Sequence, residues 1–188
     1  MSKIFAALAL ALLAHPAHAA MTPMKIAEKS SYRLTAMVKK GEVAKSLSTH
    51  LARVEIETRP DGYQVTLSSP SASPEASNTV TVHFDLQGQV LGQNVNFVSE
   101  TTAAPAFTQP DGAKLLDLAA EEVVDHLSEE PALPQVAEQT QFILVSRVST
   151  AEGDAAQFDA HLRDGQVYRI LLALNGDLLS KGFVATQR

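Results

Sequence analysis

Apolar positions fall twice into the same order along this chain: a stripe at helical spacing, then four runs that alternate. In the first pass, Met24, Ala27, Leu34, Met37 and Val38 predict a helix from Thr22 to Val43. Thr22 is a good N-cap, Pro23 suits the first helical position, and Gly41 suits the stop. Leu51 to Arg59 then alternates, with Ala52, Val54 and Ile56 on one face and Arg53, Glu55 and Glu57 on the other. Such period-two alternation predicts a strand with one wet face. Pro60-Asp61-Gly62 reads as a turn, and Tyr63, Val65 and Leu67 line the returning strand. Ser68 to Asn78 reads as a surface loop. Thr79 to Leu86 alternates again, turns at Gly88, and a second arm groups Leu91, Val95 and Phe97.

The second pass repeats this order. Ser99 to Pro110 reads as a linker, and Asp111 caps a helix expected to reach about Ser128. Leu115, Leu116, Ala119, Ala120, Val123 and Leu127 give it an apolar stripe, and Pro131 and Pro134 are expected to stop it. Four strand-like runs follow: 142–150, 155–163, 166–174 and 178–185. Asp164-Gly165 and Asn175-Gly176 between them are two-residue hairpin signals. The two caps are 89 residues apart and the two final turn glycines, Gly88 and Gly176, are 88 apart. The expected fold is therefore α+β: either a single larger sheet with two helices on one face or, as the leading reading, antiparallel meander sheets with one helix packed per sheet, in two tandem units. These span 20–98 and 111–188, with 99–110 as linker. Short turns between consecutive strands exclude a parallel sheet.

Residues 1–19 stand outside that repeat. Lys3, the apolar run Ile4 to Ala14 and the small-x-small site Ala17-His18-Ala19 have the three parts of a secretory signal peptide, with cleavage expected at Ala19-Ala20. The apolar run is shorter than the roughly 20 residues a transmembrane helix needs, so no membrane span is expected after cleavage. There is no cysteine among the 188 residues, which removes disulfides, thiol catalysis, Cys-ligated zinc and a lipidated cysteine. A bacterial periplasm is the expected compartment. The net charge of −6, made one more negative by loss of Lys3, argues against nucleic acid as a partner.

Candidate chemistry is sparse. Outside the leader, the histidines are His50, His83, His126 and His161, far from the spacings of a local metal site. His83 and His161 are the weak metal candidates. Each lies on the polar face of a strand, with Asp85 or Asp159 two residues away, and in duplicated halves both would reach surfaces built alike. The plainer reading is an exposed histidine on a wet strand face; the functional one is a low-affinity metal or pH-sensitive patch. The serines sit in loops or at helix ends, with no G-x-S-x-G elbow. Glu121, Glu122 and Asp125 read as a solvated acidic face. With no nucleophile, base and oxyanion donors to assemble, neither an enzyme nor a cofactor is expected. There is no Trp and only three Tyr, which disfavours a sugar platform.

The predicted helices differ in sign. Thr22 to Lys45 holds six Lys or Arg against two acids, and Asp111 to Glu130 one Lys against seven. They could lie side by side across the halves or join two copies as a homodimer.

A helix followed by a meander that ends in strand–xxG–strand resembles PepSY-type and related small periplasmic domains of unknown function. The residues that carry the resemblance are KSSYRLTAMVKKGEVAKSL and VTVHFDLQGQVLGQNV in the first half, with LLDLAAEEVVDHL and YRILLALNGDLLS in the second. PepSY-type units have three strands per helix, against four here. The resemblance implies a non-enzymatic role: binding, regulation or inhibition of an envelope partner. The leading expectation is an exported, non-catalytic binding or interaction module for an envelope protein or peptide. The alternative is a periplasmic lipid or lipoprotein carrier with an apolar cavity between sheet and helices.

Overall fold

A computed structural model describes residues 20–73, 76–101 and 103–185; the expected signal peptide lies outside them. Two helices open each half, α1 (Pro23–Lys39) with α2 (Ser46–Thr49), and α3 (Gly112–Val124) with α4 (Leu133–Gln139). The first meander is β1 (Arg53–Arg59), β2 (Gly62–Pro70), β3 (Ser77–Asp85) and β4 (Val90–Asn96). The second is β5 (Thr140–Thr150), β6 (Gly153–Leu162), β7 (Val167–Ala173) and β8 (Leu178–Phe183).

The fold is α+β, as expected, and it takes the single-sheet form. The meanders are one sheet, in the order β4-β3-β2-β1-β5-β6-β7-β8. They join where β1 runs antiparallel to β5, through Arg53↔Leu144, Val54↔Ile143 and Glu55↔Phe142. Each half also carries a second, short helix rather than one. Pro134 does not end a helix; it sits in the first turn of α4, where its missing N–H costs nothing. The Ser68–Asn78 loop is shorter than expected, because Ser69 and Asn78 are buried and ordered into β2 and β3.

Both long helices begin alike. Thr22 accepts from Lys25 N–H at 3.3 Å and Asp111 from Lys114 N–H at 3.0 Å. One turn on, Lys25 Nζ lies 2.6 Å from both Glu28 carboxylate oxygens, and Lys114 Nζ lies 2.5 Å from Asp117 Oδ2. Thr22–Glu28 (TPMKIAE) and Asp111–Asp117 (DGAKLLD) are thus one motif, cap-x-x-Lys-apolar-apolar-acid. α1 and α3 pack on each other within the chain. Small buried residues, Ala27, Ser30 and Ser31 on α1 with Ala119 and Ala120 on α3, allow close approach.

The helices cover one face of the sheet. Val54, Val65, Leu67, Val80, Val82, Phe158, Ile170 and Leu172 point to them and pack with Leu34, Met37, Leu115 and Leu116 in one continuous core. Segment 99–110 is stitched down rather than loose. Phe107 is buried and its N–H donates to Thr49 O at 3.0 Å. Asn78 Oδ1 accepts from the N–H groups of Val98 and Ser99, and its Nδ2 donates to the carbonyls of Pro70 and Ser99.

Two long helices span less than eight strands at about 4.8 Å each, so the outer strands overhang the helix layer. The grouped apolar residues of β4 and its end, Leu91, Val95 and Phe97, are accordingly exposed. No helix among the described residues is long and apolar enough to cross a membrane.

Candidate binding face

Because side chains alternate along a strand, a sheet covered on one side presents its other residues to solvent. Register aligns them in rows. One row runs Asn94, Thr81, Thr66, Glu55, Phe142, His161, Val167 from β4 to β7. The next runs Asn96, Thr79, Ser68, Arg53, Leu144, Asp159, Arg169. The first half of the face is therefore hydroxyl- and amide-rich, and the second mixes apolar groups with charge.

Its centre is a stack at the joint between meanders. The Phe142 and His161 rings lie 4.3 Å apart, centroid to centroid, at 15°. The Arg53 guanidinium lies 4.4 Å from the Phe142 centroid, a cation–π contact, and its Nη2 lies 2.6 Å from Glu55 Oε1. Beside the stack, Asp159 receives two bonds from Arg169, at 2.7 and 2.8 Å, and one from Gln157 at 3.0 Å. The hydrogen bonds that Arg169 donates to Asp159 raise the Arg169 pKa further, against the opposing effect of burial.

A groove of about 590 Å³ adjoins the stack. It exists because the β1–β5 pairing stops after Glu55↔Phe142 while β1 continues to Arg59. Glu55, Glu57, Gln141, Phe142 and Arg163 are among its walls. Arg163 Nη2 donates to Thr58 Oγ1 across the gap at 2.9 Å.

His83 and His161 do not come together. They lie on β3 and β6, four strand steps or roughly 19 Å apart at ~4.8 Å per step. Nor are they equivalents, since His83 is on the third strand of its meander and His161 on the second. Each neighbouring Asp has other partners: Asp85 accepts from the Gln87 and Gln89 N–H groups, and Asp159 is held by Arg169. Among the described residues no three His, Cys, Asp or Glu gather as for a metal ion. His50 is nearly buried, with Nε2 3.2 Å from Ala103 O and Nδ1 3.2 Å from Thr49 Oγ1. His126 pairs with Glu129 at 2.8 Å on the surface.

Sequence reasoning passed over Phe142 and Arg53. Their signal was an aromatic and a cation on adjacent strands, invisible until β1 and β5 are known to be neighbours. The oppositely charged helices do lie side by side, but α1 pairs Lys25 with its own Glu28, and α3 pairs Lys114 with its own Asp117 and Glu122 with Lys181 of β8. No α1–α3 ion pair occurs among the described residues.

No protein-family model matches this chain, and no curated protein matches it. The chain is similar to a solved structure of a putative lipoprotein from Clostridium difficile 630, at 10% identity and a TM-score of 0.32. That match covers 81% of this chain and 90% of the other. A likeness of that size assigns neither fold nor function.

Proposed function

We propose that this chain is an exported, non-catalytic binding module that presents the helix-free face of its sheet to another envelope protein or peptide. The observation that carries this reading is the one-sided covering of an eight-stranded sheet. Its open face holds a half-buried aromatic–cation cluster, Arg53–Phe142–His161, beside a groove. Aromatic and Arg side chains are the groups that anchor protein interfaces. The N-terminal pattern of residues 1–19 supports export.

The packed layer between sheet and helices favours this reading over a lipid carrier. Met24, Leu34, Met37, Leu115 and Phe158 fill it and are almost wholly buried.

The test compares immobilised wild-type protein with Phe142→Glu in capture from periplasmic extract. A partner held by the wild type and lost from the variant supports the reading. Identical capture by both overturns it, and an acyl lipid co-purifying in native mass spectrometry would favour the carrier.

A further inference from the structure

A second surface lies away from that face, at the free edge of β4. Repeated positions define it. An offset of 89 carries Lys29 onto Leu118 and Arg33 onto Glu122; an offset of 88 carries Gly88 onto Gly176 and Gln93 onto Lys181. The contacts repeat with the positions. Lys29 lies over Gly88 as Leu118 lies over Gly176. Arg33 Nε donates to Gln93 Oε1 at 2.7 Å, and Lys181 Nζ lies 3.5 Å from Glu122 Oε2. In each half, therefore, a helix reaches the overhanging edge strand through the same pair of positions.

The chemistry at the two edges differs. At β8 the cation is on the strand, and Glu122 together with Glu130, 2.7 Å away, neutralises it within the chain. At β4 the cation is on the helix and its strand partner is a neutral amide. Among the described residues neither Lys29 nor Arg33 has a carboxylate within 4 Å; the nearby Glu42 is taken up by Lys40 and by Gln93 Nε2. Lys29, Tyr32 and Arg33 line a groove of about 380 Å³ with Phe84, Gly88 and Val90. Leu91, next to Val90, is 65% exposed, and Phe97, past the other end of β4, is 41% exposed. The stretch from Leu86 to Ser99 has no charged residue, so β4 lacks the lysines with which edge strands discourage pairing.

We propose that the free edge of β4 accepts an extended acidic segment of a partner polypeptide as a ninth strand. Its carboxylate would supply to Arg33 the counter-charge that Glu122 supplies to Lys181 within the chain. Main-chain hydrogen bonds to the edge provide the remaining contacts. This surface is separate from the open face and stands or falls independently of it.

The probe is a fluorescein-labelled, end-capped peptide of about nine residues alternating Glu and Val, long enough to run along β4. Its control alternates Lys and Val. At low salt the acidic peptide is expected to bind at least about tenfold tighter than the basic one, and to protect the β4 amides from hydrogen exchange. Arg33→Glu should weaken acidic-peptide binding by about tenfold or more. Gln93→Glu, which places a carboxylate beside Arg33 within the chain, should do the same, and it keeps the test open if Arg33→Glu fails to fold. Equal affinity for the two peptides, absence of binding, or protection away from β4 would overturn the proposal. So would sedimentation showing a dimer sealed through β4, since the occupant would then be a second copy.

Discussion

The Tyr32 hydroxyl lies 3.5 Å from Glu121 Oε1, and Glu121 holds in the second half the position that Tyr32 holds in the first. Residues at equivalent positions meet only near an axis relating the two halves, so the crossing of α1 and α3 lies close to it. Lys114 Nζ stands 5.9 Å from the centre of the Tyr32 ring. The charges of Asp117 above all, then partial burial and Glu121, raise the Tyr32 pKa above its ordinary 10.0. Burial raises Tyr63 and Tyr168 in the same direction.

These are all the tyrosines of the chain, which makes a clean titration. Each binds its proton more tightly folded than unfolded. Their contribution to stability is therefore complete below pH 10 and is lost as pH rises through the raised values. The tyrosinate absorbance of the folded protein should titrate above pH 10, and that of the urea-unfolded chain near it. Coincident curves would contradict the arrangement.

Asp117 is 2% exposed, and its Oδ1 has no hydrogen-bond partner. Among the described residues its one ion-pair partner is Lys114, itself half exposed, whose pKa rises chiefly through its hydrogen bond to Asp117. Lys114→Ala should cost about 2 kcal/mol in urea unfolding, since it strands a buried carboxylate. Adding Asp117→Leu should restore most of that loss. A double variant no better than the single would show that the pair is not the cause.

Gly112 opens α3, where helix propensity alone would favour alanine by about 1 kcal/mol. Packing says otherwise. A Cβ there would stand 2.7 Å from Ser48 O and 3.0 Å from Leu51 Cβ. Gly112→Ala is expected to destabilise by about 1–3 kcal/mol; a gain in melting temperature would mean that α2 can move aside.

Asn78 joins the loop after β2 to the segment after β4 through four hydrogen bonds. Asn78→Ala should lower stability by about 2–3 kcal/mol and speed proteolysis within 99–110. Unchanged cleavage would mean that Phe107 alone anchors the segment.

Local signals carried much of this structure. Thr22 and Asp111 announce helix starts by their own side chains, and Asn175-Gly176 announces a turn. What alternation cannot say is which strand lies beside which, because β1 and β5 would alternate the same way at an open edge. The Arg53–Phe142 contact was hidden for that reason. The exposure of the apolar residues of β4 was hidden for another: their pattern marks a face but not the width of the helix layer over the sheet. His83 and His161 failed as a pair because they are 78 residues apart, short of the 88 that carries β3 onto β7, and so stand on strands that are not equivalents.

The seam between β1 and β5 bears on how the chain folds. Every other pair of neighbouring strands is also consecutive in sequence, and can form by closing a short local loop. This pair brings together residues as distant as Val54 and Ile143 through three residue pairs. Loop-closure entropy makes such a contact slow to form. We therefore expect the two meanders to assemble early and their joining to limit the refolding rate. Ile143→Val, at the joint formed in that barrier, should slow refolding and hasten unfolding in stopped-flow measurements, while Val82→Ala, inside a meander already assembled there, should leave the unfolding rate almost unchanged. The reverse pattern would place the slow step within a half.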